Sequence, residues 1–223
     1  MIYVDGGEKL RKFTPPGSRL LDIGCGTGLT ASSYRVGMRQ VELYGIDAYH
    51  DPSEVRSFIN YTKQDIDGET LPFESRFFDV AVLCHILEHL RNPLNLVAET
   101  FRVLRPGGVI YVETPSVRSL LVPGLRFQNE QYAAANYYDD FTHIGRPQTI
   151  HSLFHLLDRN GFDVLEVDYA RPRHWIRTGL RHILSAPRHK NRATLCTGIW
   201  YLVGWAIYGI GRKNEDKKVP SHV

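Results

Sequence analysis

Leu20-Leu21-Asp22-Ile23-Gly24-Cys25-Gly26-Thr27-Gly28 is the stretch that decides how this chain is read. An apolar run ending in a carboxylate and followed by three alternate glycines predicts a strand, Arg19 to Ile23, a tight turn, and a helix from Leu29 to Met38. Glycine permits the turn and leaves bare backbone for a ligand to lie against, while the helix N-terminus presents free N–H groups. The third glycine comes one residue earlier than in the dinucleotide pattern G-x-G-x-x-G, which weakens a pyrophosphate-binding reading. A second strand, Val41 to Ile46, leads into Asp47, about 20 residues on, where a carboxylate can accept both hydroxyls of a ribose.

Outward from this turn, strand-length apolar runs alternate with helix-length segments, the pattern of an α/β protein with a parallel sheet. Asp51 and Pro52 suit the start of a helix after the second strand. Asn60 to Gln64 reads as a short third strand, and Phe78 to Leu83 as a fourth that is covered on both faces. A helix from Pro93 to Leu104 stops before a turn, Arg105-Pro106-Gly107-Gly108, and Val109 to Glu113 follows as the fifth strand. Ser116 to Arg146 is long, aromatic and irregular, which marks it as a functional loop. A helix from Pro147 to Arg159 ends at Asn160-Gly161, and Phe162 to Val167 is a sixth strand.

The length of 223 residues, 43% hydrophobic and 23% charged, fits a single globular domain. Three scattered cysteines, Cys25, Cys84 and Cys196, make neither a disulfide framework nor a zinc site, so a reducing, cytoplasmic setting is expected. Met1 to Gly17 holds no apolar run that would serve as a signal peptide. Charge is segregated: 16 Lys/Arg against 22 Asp/Glu up to Asp168, then 11 against 2 from Tyr169 onward. Such asymmetry points to a surface that meets an anionic partner.

With Tyr44-Gly45-Ile46-Asp47, Asp65-Ile66, Leu71-Pro72-Phe73, Phe77-Phe78-Asp79-Val80, Leu87-Glu88-His89 and Leu104-Arg105-Pro106-Gly107-Gly108 added to the glycine turn, the chain resembles class I S-adenosylmethionine-dependent methyltransferases. Within them it is similar to the small-molecule group called type 11, over Leu20 to about Val167. The resemblance implies a Rossmann-like sheet of seven strands, mostly parallel, with helices on both faces and the last strand antiparallel. It implies S-adenosyl-L-methionine as cofactor, with the methionine part on the turn of Asp22, Gly24, Gly26 and Gly28. Asp47, with Ala48 beside it, would hold the ribose; Asp65 would face the adenine amino group and Ile66 its ring. Cys84 and His85 would line the methionine end.

The donor methyl is already activated, so the protein must position the acceptor and remove its proton. No metal is expected, because the sequence shows no carboxylate and histidine cluster for one; His151 and His155, at i and i+4, lack a third ligand. The candidate general base is His143, in Tyr137-Tyr138-Asp139-Asp140-Phe141-Thr142-His143, with Asp140 or Asp139 to orient it. A similar Asp-Asp-x-Thr-His stretch occurs in type 11 enzymes that act on sugars and surface polysaccharides, which turns the expected acceptor toward a sugar or lipid-linked glycan hydroxyl, with oxygen, nitrogen and carbon all open as the atom methylated. The competing reading makes His143 a residue that fixes the loop. His85 is a second candidate for substrate contact, His89 for packing, and Tyr132, Tyr137 and Tyr138 for either pocket wall or core.

Beyond Val167 the family pattern fades. Pro172 to Ala186 has Ile176, Leu180, Ile183 and Leu184 at helical spacing and Arg173, Arg177 and Arg181 in a stripe, a basic amphipathic helix. Leu195 to Gly211 is uncharged but interrupted by glycines, so Ala193 to Val203 is read as a helix and Trp205 to Arg212 as the seventh strand rather than one membrane span. Residues 1–168 are thus a cofactor-binding core with a substrate loop at 116–146, and residues 169–223 a basic extension of the same domain. Contact of 171–192 with an anionic membrane is one expectation for the positive face. RNA is another, though no recognised RNA-binding module is present. Two other functions stay open: an RNA methyltransferase, and a module that binds the cofactor without catalysis.

Overall fold

In the computed structural model, which describes residues 4–31, 40–123, 136–171, 173–189 and 192–217, the apolar runs pair into one sheet. Its strands are β1 (Arg19–Ile23), β2 (Glu42–Asp47), β3 (Asn60–Lys63), β4 (Phe78–Cys84), β5 (Leu104–Pro115), β6 (Phe162–Ala170) and β7 (Ala206–Lys213), in the order β3-β2-β1-β4-β5-β7-β6. β1 to β5 pair in parallel, and β7 lies antiparallel between β5 and β6. The expected seven-stranded, mostly parallel sheet is therefore present.

Side chains alternate across a strand, so each strand feeds two cores. Leu20, Val80, Val82 and Tyr111 face one, and Leu21, Ile23, Ala81, Leu83 and Val112 the other. Helices α2 (Pro93–Val103) and α3 (Ile150–Arg159) cover the second core through Leu96, Val97, Leu153 and Leu157. The first is covered by Leu10 of α1 (Val4–Arg11) and by Cys196 of α5 (Arg192–Val203). The remaining helix, α4 (Trp175–His189), packs on α5. Asn92 caps α2, accepting a hydrogen bond from the Asn95 N–H, with Pro93 at the first helical position.

Several boundaries differ from the expectation. No helix follows Asp51: residues 52–54 form a turn, because the Asp51 carboxylate pairs with Lys63 and the Arg56 N–H bonds the Thr27 carbonyl. Arg105 to Gly108 is not a separating turn but part of β5, where the pairing slips from Phe78–Leu104 to Val80–Val109 and leaves the extra residues as a bulge. α3 begins at Ile150 rather than Pro147, since Gln148 bridges to Ser116 and Thr149 forms a capping box with Ser152. β6 runs on to Ala170, the amphipathic helix on to His189, and α1 was not foreseen. The helix expected at Leu29 to Met38 opens at residues 29–31; the rest lies outside the described residues.

Candidate active site

The carboxyl ends of β1, β2 and β4 lie side by side, with Ile23 opposite both Ile46 and Leu83. This register gathers Asp22, Gly24, Gly26, Asp47, Cys84 and His85 at one edge of the sheet, where open α/β folds bind ligands. The Gly24 and Cys25 N–H groups donate to the Ile46 carbonyl at 2.8 and 3.2 Å, which ties the turn to the end of β2. Gly24 has φ 75°, and a Cβ there would come 2.8 Å from Ile86 Cδ1, so no other residue fits without a shift. At Gly26, φ 51°, a Cβ would meet only His50 Cε1 at 3.8 Å, leaving open backbone for a ligand.

Asp47 is held from several sides. Its Oδ2 accepts from the Gly26 N–H at 3.0 Å and its Oδ1 from the Tyr49 N–H at 2.9 Å, with the His50 ring 3.0 Å away. Burial alone would raise the carboxyl; the His50 and backbone hydrogen bonds outweigh it and keep Asp47 below its ordinary value, ionised at neutral pH. Asp22 is the opposite case. Its Oδ2 is buried without a hydrogen-bond partner among the described residues, and desolvation pushes the carboxyl up to about 7. Ala48 follows Asp47 half-buried. Asp65 is exposed after β3 and accepts the Asp67 N–H at 3.0 Å, whereas Ile66 is buried among Leu71 and Leu87.

Beside this turn His85, a residue the sequence singled out, has two partners that it did not. His85, with φ 53°, sits between two buried carboxylates: Nδ1 lies 3.2 Å from Glu88 Oε1 and Nε2 3.4 Å from Glu113 Oε1. Glu113 also accepts the Tyr111 hydroxyl at 2.6 Å, and Glu88 the Thr114 hydroxyl at 3.1 Å. Burial would lower the imidazole, but the two carboxylates prevail and push it up to about 9. A sequence signal was available: Glu88 and Glu113 are charges set inside apolar runs. The thiol of Cys84, in the same wall, is raised by desolvation and by Glu113.

The expected acceptor side lies against Glu88. His143 is nearly buried, its side chain 5% exposed, with its ring 4.3 Å from that of Tyr137 and 4.9 Å from that of His89. Its Nδ1 is 2.7 Å from the Tyr137 carbonyl, which can only accept, so Nδ1 is the donor and the neutral form of the ring is the tautomer with its lone pair on Nε2. Nε2 is 3.8 Å from Asp140 Oδ2. Burial would raise the Asp140 carboxyl, yet hydrogen bonds from Thr142 and the neighbouring His143 and His89 hold it below its ordinary value. The Ile144 N–H donates to the Glu88 carbonyl at 2.9 Å and fastens this loop to the short turn, Leu87–His89, that follows β4. Ligand-type atoms of Glu88, His89 and His143 lie within 4.8 Å of one another, as do those of Cys84, His85 and Glu113, a convergence invisible in the sequence. Tyr137 is buried and its hydroxyl has no partner among the described residues; Tyr138 is exposed, and Tyr132 lies outside the described residues. His151 and His155 are exposed on α3.

A family model described as a methyltransferase domain matches residues 3–167. The ubiquinone biosynthesis O-methyltransferase of Hahella chejuensis is 31% identical over 107 residues, 44% of each chain. A probable S-adenosylmethionine-dependent methyltransferase of Mycolicibacterium smegmatis is 36% identical over 111 residues, 48% of this chain and 42% of that one. The match thus spans less than half the length of these curated relatives. Among solved structures, Haemonchus contortus phosphoethanolamine N-methyltransferase 2 in complex with S-adenosyl-L-methionine superposes with a TM-score of 0.66 at 18% identity, covering 95% of this chain and 52% of that one. At that identity the likeness speaks for the fold. The residues at the edge fit the cofactor: the open backbone at Gly26, an ionised Asp47 able to accept ribose hydroxyls, and an Asp22 oxygen without a partner among the described residues.

Proposed function

The chain belongs to the class I S-adenosylmethionine-dependent methyltransferases, and we propose that within them it methylates a hydroxyl of a small acceptor, a sugar or a lipid-linked glycan, with His143 as general base. Bound S-adenosylmethionine supplies a methyl group on an electrophilic sulfonium. Asp22, Gly24, Gly26 and Gly28 cradle its methionine part, with Cys84 and His85 at that end. Asp47 and Ala48 hold the ribose, and Asp65 and Ile66 the adenine. The work left to the protein is to place the acceptor hydroxyl and take its proton.

One observation carries this assignment: the carbonyl of Tyr137 fixes the His143 tautomer and leaves Nε2 free to accept a proton. Asp140, 3.8 Å away and ionised, compensates the charge as the imidazolium forms. The Tyr137 hydroxyl beside this ring, buried and without a partner among the described residues, supports a polar acceptor, since a buried hydroxyl is costly without one. The O-methyltransferase names of the relatives speak for oxygen as the atom methylated. In this reading residues 1–168 hold cofactor and acceptor, with 116–146 as the substrate loop, and 169–223 complete the same domain. The enzyme works in the cytoplasm and meets an anionic membrane through 171–192.

The test is to incubate purified protein with a cell extract and methyl-labelled S-adenosylmethionine, then follow the label by mass spectrometry. Label is expected in a sugar-containing molecule of the extract. Label lost on RNase treatment, or in no molecule despite cofactor binding, would overturn the acceptor class.

A further inference from the structure

We propose that the outward face of α4 docks on an anionic lipid bilayer and holds the mouth of the site toward it. The orientation rests on the carboxyl edge being the active site; the docking does not. β5 ends at Pro115 and β6 at Ala170, and both pair with Ala206, the first residue of β7. The hairpin of α4 and α5 therefore leaves the sheet and returns to it at the edge that carries the glycine turn and His85. It reaches the site directly, because the Trp205 ring lies 5.4 Å from that of Trp200 on α5 and 5.6 Å from that of His85.

Within the hairpin α5 faces inward and α4 outward. Cys196, Ile199, Trp200 and Val203 of α5 join the core beside β7. α4 is pressed against α5 at two glycines: a Cβ on Gly179 would lie 3.0 Å from the Gly198 carbonyl, and one on Gly198 2.8 Å from the Gly179 carbonyl. On its outer side α4 has no protein cover among the described residues. Ile176, Leu180 and Leu184, one turn apart in succession, are 53%, 47% and 74% exposed. Arg177 and Arg181 are exposed beside this row at the same spacing, Arg173 is exposed just before the helix, and no acidic residue occurs between Tyr169 and Asn214.

An apolar row flanked by arginines matches a bilayer interface, where aliphatic groups enter the acyl boundary and guanidinium groups meet lipid phosphates. RNA would engage the arginines yet leave Ile176, Leu180 and Leu184 in water. A second copy joined through this face would set the arginine row against itself.

The experiment is co-sedimentation of the full chain with vesicles of phosphatidylcholine alone or mixed with phosphatidylglycerol, at low and raised salt. The variants are R173E/R177E/R181E and L180S/L184S, each checked for unchanged S-adenosylmethionine binding as a sign of intact folding. Wild type is expected on the anionic vesicles only, more weakly in salt, with the arginine variant about 100-fold weaker and the leucine variant also weakened. Equal binding to both vesicle types, no binding, or variants that bind like wild type would overturn the proposal. So would retention on RNA in place of vesicles, or a dimer that the variants dissolve. Sedimentation needs no turnover, so a chain that methylates but ignores vesicles sinks the docking alone. One that binds vesicles but not the cofactor sinks the site.

Discussion

The two halves of the carboxyl edge are built in different ways. On the cofactor half, the glycine turn is tied to the end of β2 by backbone hydrogen bonds, and its one strong side-chain anchor, Asp47, accepts from Gly26, Tyr49 and His50. On the proposed acceptor half, local contacts such as His143 to the Tyr137 carbonyl are joined by bonds between side chains far apart in sequence, Thr114 to Glu88 and Thr142 to His89. The first half is a backbone cradle that many sequences can form once the glycines are in place. The second depends on particular buried charges, and it is there that an individual enzyme sets its acceptor and its chemistry.

The comparison breaks most sharply at His143. Replacing it with Ala should slow methyl transfer by about 10²–10⁴-fold while leaving the affinity for S-adenosylmethionine nearly unchanged. The measurement is the rate of label transfer to the acceptor beside a calorimetric titration of the cofactor. A loss of less than tenfold would make His143 a residue that holds the loop, and the acceptor one that is already nucleophilic.

The buried charges sharpen it next, through stability. The imidazole of His85 stands at about 9 in the folded chain against 6.5 as its ordinary value, so the folded state holds the proton more tightly. Its contribution is fully present below pH 6.5 and is lost as pH rises through 9, about 3 kcal/mol in all. Urea unfolding between pH 6 and 10 should show that fall in the wild type. The His85→Gln variant should be less stable at pH 6 and fall less steeply, keeping only the share that Asp22 and the Cys84 thiol contribute; a variant curve as steep as the wild type would mean that His85 carries no bound proton between its carboxylates.

This contrast also explains what the sequence disclosed. Leu20 to Gly28 and Asp47 were legible because a strand, a glycine turn and the next strand end are local features with local causes. The antiparallel seventh strand followed from the resemblance, whereas its place between β5 and β6 is a long-range pairing that was not read from the sequence. Glu88 and Glu113 were not assigned, because their partners are chosen by the register of β4 against β5 and by a loop that returns from residue 144. Asp51 misled for the same reason: a carboxylate before a proline suits a helix start, but Lys63 on β3 takes it instead. Thr149, the actual cap of α3, sat two residues inside a stretch that Gln148 needs for its bridge to Ser116.

The smallest effect gives the most direct test of the central claim, that the ends of β1 and β2 bind S-adenosylmethionine. Asp47 would lose two hydroxyl partners as Ala, a cost on the order of 1.5–3 kcal/mol, or roughly 10- to 100-fold in affinity. Calorimetric titration of S-adenosylmethionine and of S-adenosylhomocysteine into both proteins is the measurement. Saturable binding of each ligand to the wild type is expected, with a weakening of that size in Asp47→Ala. Equal affinity in the two proteins would remove Asp47 from the site, and no binding to the wild type would contradict the claim itself.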